Sequence, residues 1–326
     1  RVQNAALEAM NGRKGTVGVY NYKTGEILCA LTTPTYDPDN VPDIASDTSG
    51  QYDGVYLNRF LQSTYVPGSI FKVVTTAAAL DCVPDILDKT FTCYGAYEYG
   101  TEKVTCEKAH GTLTLKTALA NSCNCAFAQI AELVGKKNMV KYVEQFGVTD
   151  SLSFDGVTPA KGNYDISNTA PVSFAWSCIG QHTDLINPAR YMTFMGAIAG
   201  GGVGVEPYLV SEVRSGEELT YEAKTKTTGR IMSQDVADQV RAYMRNNVQS
   251  VYGDWNFNGM NVCAKAGTSQ LGGGQKSNAM FAGFVEDEQY PLAFIVVVEN
   301  GGYGSATCVP VLSKVLAACK SVLDGE

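Results

Sequence analysis

A chain of 326 residues, 45% of them apolar and 18% charged, is long enough to bury one large core or two lobes. Its net charge of −8 and pI near 4.9 give it no basic field for nucleic acid or for an acidic membrane surface. Two histidines outside any His-Glu-x-x-His or similar spacing, and ten cysteines without a Cys-x-x-Cys, predict no metal, no thioredoxin-like redox site and no cofactor.

In chain order, residues 2–10 carry apolar side chains at helical spacing, and two short apolar runs predict a hairpin over residues 16–31 with Lys23-Thr24-Gly25 in its turn. Residues 33–62, rich in Pro, Asp and Ser, predict an exposed loop. Pro67 and Gly68 are stop signals just before Ser69, and the apolar run through Leu80 continues as a helix. Helices dominate from Ser69 to about residue 200, among them 113–120, 126–134, 139–146 and 188–199, with a loop at 151–170. A glycine cluster at 200–204 follows, then a helix capped by Ser233 that reaches residue 249 and a loop at 250–259. Strands are predicted at 261–264, 278–285 and 292–298, with Gly272-Gly273-Gly274 as a turn, and a final helix at 310–323. No apolar run reaches the ~18–20 residues of a membrane span. These elements predict an α/β (α+β) fold in a single domain, 1–326. A mainly antiparallel sheet built from both chain ends (about 1–62 and 201–326) is flanked by helices, with an all-helical lobe (about 63–200) inserted and a cleft where the two meet.

Three short patterns in that cleft carry chemistry. Ser69-Ile70-Phe71-Lys72 puts a hydroxyl and an amine one turn apart at a helix start, a nucleophile with its own base. Alone, the pair also fits a serine beside a solvated lysine. Ser122-Cys123-Asn124 lies on the connection between two helices, and Lys265-Ala266-Gly267-Thr268 precedes two strands of the sheet. A lysine near pKa 10.4 becomes a base at neutral pH only when lowered by about three units, which burial and a second cation such as Lys265 would do. Cys123 and Cys125 fit a helix as small core residues. Cys93 and Cys106 bracket a Tyr/Gly-rich loop and are the candidate disulfide pair, left as thiols in a reducing niche. His110 and His182 sit in loop-like context as structural or exposed residues.

In order and spacing these motifs resemble those of the penicillin-recognising serine enzymes. From residue 2 to 316 the chain resembles the transpeptidase domain of a class B penicillin-binding protein. Residues 15–38 (GTVGVYNYKTGEILCALTTPTYDP) are similar to its opening hairpin and Asn58-Arg59 to its nucleophile approach. LKTALANSCNCAF, Ile179-Gly180-Gln181, Asn187-Pro188 and Ala282-Gly283-Phe284 match further landmarks. The resemblance implies a peptidoglycan D,D-transpeptidase acting on stem peptides that end in D-Ala-D-Ala and acylated by β-lactams. It makes Ser69 the nucleophile, Lys72 its base and Ser122 the relay of a proton to the leaving amine, with Lys265 stabilising it. Asn124, Ala266, Gly267, Thr268 and Ser269 would bind substrate, and the amides of Ser69 and Thr268 would form the oxyanion hole. Ala266 departs from the family, which carries a hydroxyl there. A D,D-carboxypeptidase, a serine β-lactamase and a non-catalytic β-lactam sensor or division scaffold are the alternatives. The same resemblance implies an extracytoplasmic place at the bacterial membrane, an N-terminal membrane anchor and pedestal preceding this chain, and a cell-wall glycosyltransferase of the division or elongation machinery as partner.

Overall fold

Strands from both ends of the chain pair in one five-stranded sheet. The computed structural model, which describes residues 1–271 and 273–325, begins with helix α1 (Val2–Met10) and the hairpin β1 (Gly15–Asn21) and β2 (Ile27–Thr33). In the hairpin turn the Asn21 carboxamide oxygen accepts from the amides of Lys23 and Thr24 at 2.9 and 3.1 Å, and Gly25 takes φ +96°. Lys23-Thr24-Gly25, which spells the family's third motif literally, is therefore turn chemistry. A long loop leads to the helical turn Gly68–Phe71 and to α2 (Lys72–Cys82).

Four short strands follow: β3 (Thr90–Cys93), β4 (Ala96–Tyr99), β5 (Glu102–Thr105) and β6 (Gly111–Thr114). Helices α3 (Leu115–Ala120), α4 (Asn124–Phe146), α5 (Pro171–Cys178) and α6 (Pro188–Ala199) complete the inserted segment, α4 being broken at Gly135. Next come β7 (Val203–Val205), β8 (Glu212–Ser215), β9 (Glu218–Glu222), β10 (Thr227–Arg230) and α7 (Gln234–Asn247), whose Ser233 hydroxyl accepts from the Val236 amide at 3.2 Å. Two irregular helical turns, Val248–Tyr252 and Asp254–Phe257, replace the loop expected there. The chain ends in β11 (Val262–Ser269), β12 (Asn278–Val285), β13 (Leu292–Val298) and α8 (Gly304–Leu323). Of the triglycine run, Gly273 and Gly274 lie in a turn at positive φ, and Gly272 falls outside the described residues.

The sheet runs β11-β12-β13-β1-β2 with every neighbouring pair antiparallel. Val17, Val19, Phe281, Phe294 and Val296 pack with residues of α1 and α8, whereas Tyr20, Met280, Ala282, Ile295 and Val297 join the core beneath α6 and the inserted segment. Both faces are covered, so β12 and β13 are buried at every position and their sequences run apolar without alternation. The inserted segment adds to its helices two two-stranded ladders, β3 with β6 and β4 with β5, which the expectation of an all-helical lobe did not include. Thr- and Tyr-rich four-residue strands carry too little periodicity to be told from loop.

Helix α8 starts at Gly304, six residues before the expected Pro310, and runs through that proline. The Gly304 amide donates to Thr268 Oγ1 at 3.1 Å, which anchors the start on β11, and the proline costs one internal hydrogen bond. The expectation of no such run missed that α8 is, by length and composition alone, long and apolar enough to span a membrane. Its Cys308, Leu312, Val315, Leu316 and Cys319 instead pack on the sheet as a core helix does.

A buried ion pair fixes the approach to Ser69. Arg59, 4% exposed, places Nε 2.8 Å from Glu299 Oε1 just beyond β13 and donates from Nη1 to the Gly54 carbonyl at 2.9 Å. Tyr65 donates its hydroxyl to the same Glu299 oxygen at 2.9 Å. Further support comes from α6, where Asn187 Nδ2 reaches the carbonyls of Leu61 and Ser63 and the Tyr191 hydroxyl donates to the Ile70 carbonyl at 2.7 Å. Arg59→Ala strands the Glu299 carboxylate and is expected to lower stability by about 3 kcal/mol in a urea melt; a loss below about 1 kcal/mol would mean that the pair is solvated.

Candidate active site

Ser69 sits in the turn Gly68–Phe71, against β11, because two glycines let the backbones meet. Gly68 has φ +56°, and a Cβ there would lie 2.7 Å from the Thr268 carbonyl oxygen; at Gly267 it would lie 2.9 Å from Ile70 and 3.0 Å from the Pro67 carbonyl oxygen. No larger residue keeps this approach, which brings residues 69 and 268 to one cleft. That cleft encloses about 600 Å³ and is lined by Ser69, Ser122, Asn124, Lys265, Ala266 and Thr268, among others.

Lys72 is fully buried at the first position of α2. Its Nζ donates to the Ser122 carbonyl at 2.6 Å and to Asn124 Oδ1 at 2.7 Å, and lies 3.2 Å from Ser122 Oγ. Lys265, 1% exposed on β11, places its Nζ 3.1 Å from the same Ser122 Oγ and donates to the Ala266 carbonyl at 2.7 Å. One serine hydroxyl thus lies between two amines. Ser122 adopts φ +52°, a strained conformation for a residue with a side chain, held between the end of α3 and the start of α4. Asn124 is pinned from its other side, its Nδ2 donating to the Thr105 carbonyl at 2.9 Å.

Burial pushes the Lys72 amine down to about 8, partly opposed by the nearby cysteines and Glu107. Lys265 is held well below the ordinary lysine range, first by burial and then by the charge of Lys72. The sequence-based expectation assigned the lowering of Lys72 to Lys265 and to burial together. Burial is the larger cause, and the repulsion between the two amines appears on Lys265.

The structure brings Ser69, Lys72, Ser122, Asn124, Lys265, Ala266 and Thr268 together around one cleft or its floor. Gly267 and Ser269 do not line it: Gly267 faces Ile70 and the Pro67 carbonyl, and Ser269 is fully buried with its Oγ unpaired among the described residues. The expected Cys93–Cys106 disulfide is absent, since all ten cysteines are free thiols. Cys106 Sγ lies instead 3.6 Å from Cys123 Sγ, and Cys93 Sγ lies 3.5 Å from His110 Nδ1. These four ligand atoms lie within 4.8 Å of one another, a grouping the expectation of no metal spacing overlooked.

Sequence reasoning also missed Tyr252, at the end of the irregular turn after α7. Its hydroxyl accepts from the Ala266 amide at 3.0 Å and lies 3.5 Å from Lys265 Nζ, and burial pushes its own ionisation up to about 12. Nothing in the surrounding sequence marks a turn of that shape. At the cleft mouth the Tyr303 hydroxyl donates to Glu107 Oε1 at 2.9 Å, joining the start of α8 to the loop after β5.

The family described as penicillin binding protein transpeptidase domain matches residues 15–317. Among curated relatives, the peptidoglycan D,D-transpeptidase PbpA of Mycolicibacterium smegmatis is 27% identical over 98% of this chain and 70% of its own length. The D,D-transpeptidase domain of a peptidoglycan glycosyltransferase from Eggerthella lenta superposes with TM-score 0.84 at 28% identity, covering 97% of this chain and 81% of that one. A penicillin G acyl-enzyme complex of penicillin-binding protein A from M. tuberculosis superposes with TM-score 0.85 at 25% identity, over 97% of this chain and 78% of that one.

Replacing Tyr252 by Phe leaves the Ala266 amide without its acceptor. Its hydrogen exchange is expected to quicken by at least about tenfold, the equivalent of one ordinary hydrogen bond. Unchanged protection in an NMR exchange experiment would place that acceptor elsewhere.

Proposed function

The chain belongs to the penicillin-binding protein transpeptidase family, and on that premise we propose that it is a peptidoglycan D,D-transpeptidase that works through an acyl-enzyme on Ser69. The observation that carries the assignment of roles is the pair of buried lysine amines within 3.2 Å of Ser122 Oγ, in a cleft that Ser69 also lines. In its neutral form Lys72 takes the Ser69 proton while Oγ bonds to the carbonyl carbon of the penultimate D-Ala. The oxyanion that forms is met by the amides of Ser69 and Thr268, a reading supported by both residues lining one cleft where Gly68 and Gly267 let the backbones approach. A lost donor of this kind typically costs about 3–4 kcal/mol.

Collapse of that adduct breaks the C–N bond, and the leaving amine receives its proton through Ser122 Oγ from Lys72, with Lys265 favouring the developing charge on oxygen. D-Alanine departs, the stem peptide stays as an ester on Ser69, and the amine of a second stem peptide attacks to restore the amide and the serine. A β-lactam follows the first half alone: its ring amide opens, nothing leaves, and the ester persists. Asn124, oriented by Thr105, is placed to hold the substrate amide as well as Lys72. Ala266 lacks the family's hydroxyl, so substrate carboxylate binding rests on one donor fewer here; the Thr268 hydroxyl accepts from the Gly304 amide and keeps its own proton to donate.

Peptidoglycan lies outside the cytoplasm, which supports an extracytoplasmic working place, and a glycosyltransferase that makes the strands being cross-linked fits as a partner. Incubated with a fluorescent penicillin, the domain is expected to take up about one label per chain and Ser69→Ala none, read by intact mass and gel fluorescence. A wild-type domain that never labels would contradict the assignment, and rapid loss of the label would instead indicate a hydrolase.

A further inference from the structure

We propose that Tyr252, which lies outside all three motifs, recognises the free carboxylate at the C-terminus of the substrate by donating its phenol proton to it, in place of the hydroxyl that Ala266 lacks. The choice of substrate, a peptide ending in D-Ala-D-Ala, rests on the transpeptidase reading; the choice of residue rests on the geometry around β11.

Tyr252 lines the cleft together with Ser122, Lys265, Ala266 and Thr268. Its oxygen accepts from the Ala266 amide at 3.0 Å and, at the long distance of 3.5 Å, from Lys265 Nζ. Among the described residues nothing accepts the phenol proton in return. Other tyrosines around the cleft and its nucleophile turn each donate theirs: Tyr65 to Glu299 Oε1, Tyr191 to the Ile70 carbonyl and Tyr303 to Glu107 Oε1. A buried tyrosine hydroxyl normally finds an acceptor, so a donor left free in a cleft wall marks the place where a ligand brings one. Burial pushes the ionisation of this phenol up to about 12, so the proton is present throughout the neutral range.

The ring is held before any ligand arrives. It is 8% exposed and meets Phe281 edge-on with ring centroids 5.1 Å apart, and Phe281 is the β12 partner of Ala266 in the sheet register. The irregular turn Val248–Tyr252 is tied by the Gly253 amide to the Val248 carbonyl at 2.8 Å, and Asn256 Nδ2 donates to the Tyr252 carbonyl at 2.8 Å. A donor fixed in this way loses little freedom when it binds.

The acceptor that fits must take a hydrogen bond from a phenol and sit beside the Lys265 amine. A carboxylate meets both conditions. An anion there also favours the ammonium form of Lys265, against the lowering that burial and Lys72 impose. In D-Ala-D-Ala the carboxylate lies one residue, about 3.4 Å of extended chain, past the scissile carbonyl. With that carbonyl at Thr268, a donor beside Ala266, two residues away on β11, is within reach. A hydroxyl on residue 266 would offer its proton from the strand itself; here the phenol comes to the same residue from the turn after α7.

The test compares N-acetyl-D-alanyl thioglycolate with its methyl ester as acylating substrates of the wild-type domain and of Tyr252→Phe. The readout is the preference for acid over ester in kcat/KM. One hydrogen bond to a charged group is equivalent to about tenfold or more in rate, so the Phe variant is expected to lose at least about tenfold of that preference. Ala266→Thr placed in the Phe background is expected to restore most of it. A loss shared equally by acid and ester would mean that Tyr252 only props β11 and would overturn the proposal, as would an unchanged preference. Binding to Ser69→Ala, titrated by NMR with acetyl-D-Ala-D-Ala and with its C-terminal amide, separates recognition from chemistry. The acid should bind at least about tenfold more tightly than the amide, and adding Tyr252→Phe should remove that difference. A domain that never acylates yet keeps a Tyr252-dependent preference for the acid would overturn the transpeptidase assignment and leave the carboxylate site standing. Acylation with no such preference would overturn the site alone.

Discussion

Two lysine amines share one serine hydroxyl, and neither has a carboxylate within ion-pair distance among the described residues. Burying two such cations side by side costs several kcal/mol if both stay charged, so the fold can hold them only by giving up a proton. That constraint produces the base. Desolvation lowers Lys72 toward neutrality, repulsion from Lys72 lowers Lys265 further, and the hydrogen bonds to Ser122 and Asn124 keep the neutral amine aimed.

The rigidity needed for that comes from the way the chain is threaded. A sheet made from both termini and covered on both faces is a support that yields little, and β11 is its edge facing the cleft. The Gly68 and Gly267 contacts clamp the nucleophile turn to that edge, and α6 holds it from behind through Asn187 and Tyr191. On the opposite wall the strained Ser122 corner is held between the end of α3 and the start of α4, beside the short ladders.

Much of this was legible in the sequence where chemistry is local. Pro67-Gly68 before Ser69, the Ser233 cap, Asn187-Pro188 and the Asn21 turn each announce their structure through their own residues. The cleft-lining positions of β11 were less legible, because Lys265, Thr268 and Ser269 all carry binding atoms and only their packing against elements distant in the chain decides which of them reach the cleft. Tyr252 depends on an irregular turn, and the cysteine cluster on two ladders whose strands are too short to show a period. What the sequence hid was contact between residues far apart in the chain. The family resemblance did not supply it, since of those residues its motifs include Cys123 but not Cys93, Cys106, His110 or Tyr252.

The central claim is that burial lowers the Lys72 amine far enough for a usable fraction of it to be neutral near physiological pH. It is tested most directly by NMR titration of the Nζ resonances in the domain labelled at lysine, with Lys72→Arg used to assign the signal. The account expects the Lys72 amine to titrate near pH 8. A midpoint at the ordinary lysine value of about 10.4 would contradict it, because the amine would then be an ammonium at neutral pH and could not serve as the base for Ser69.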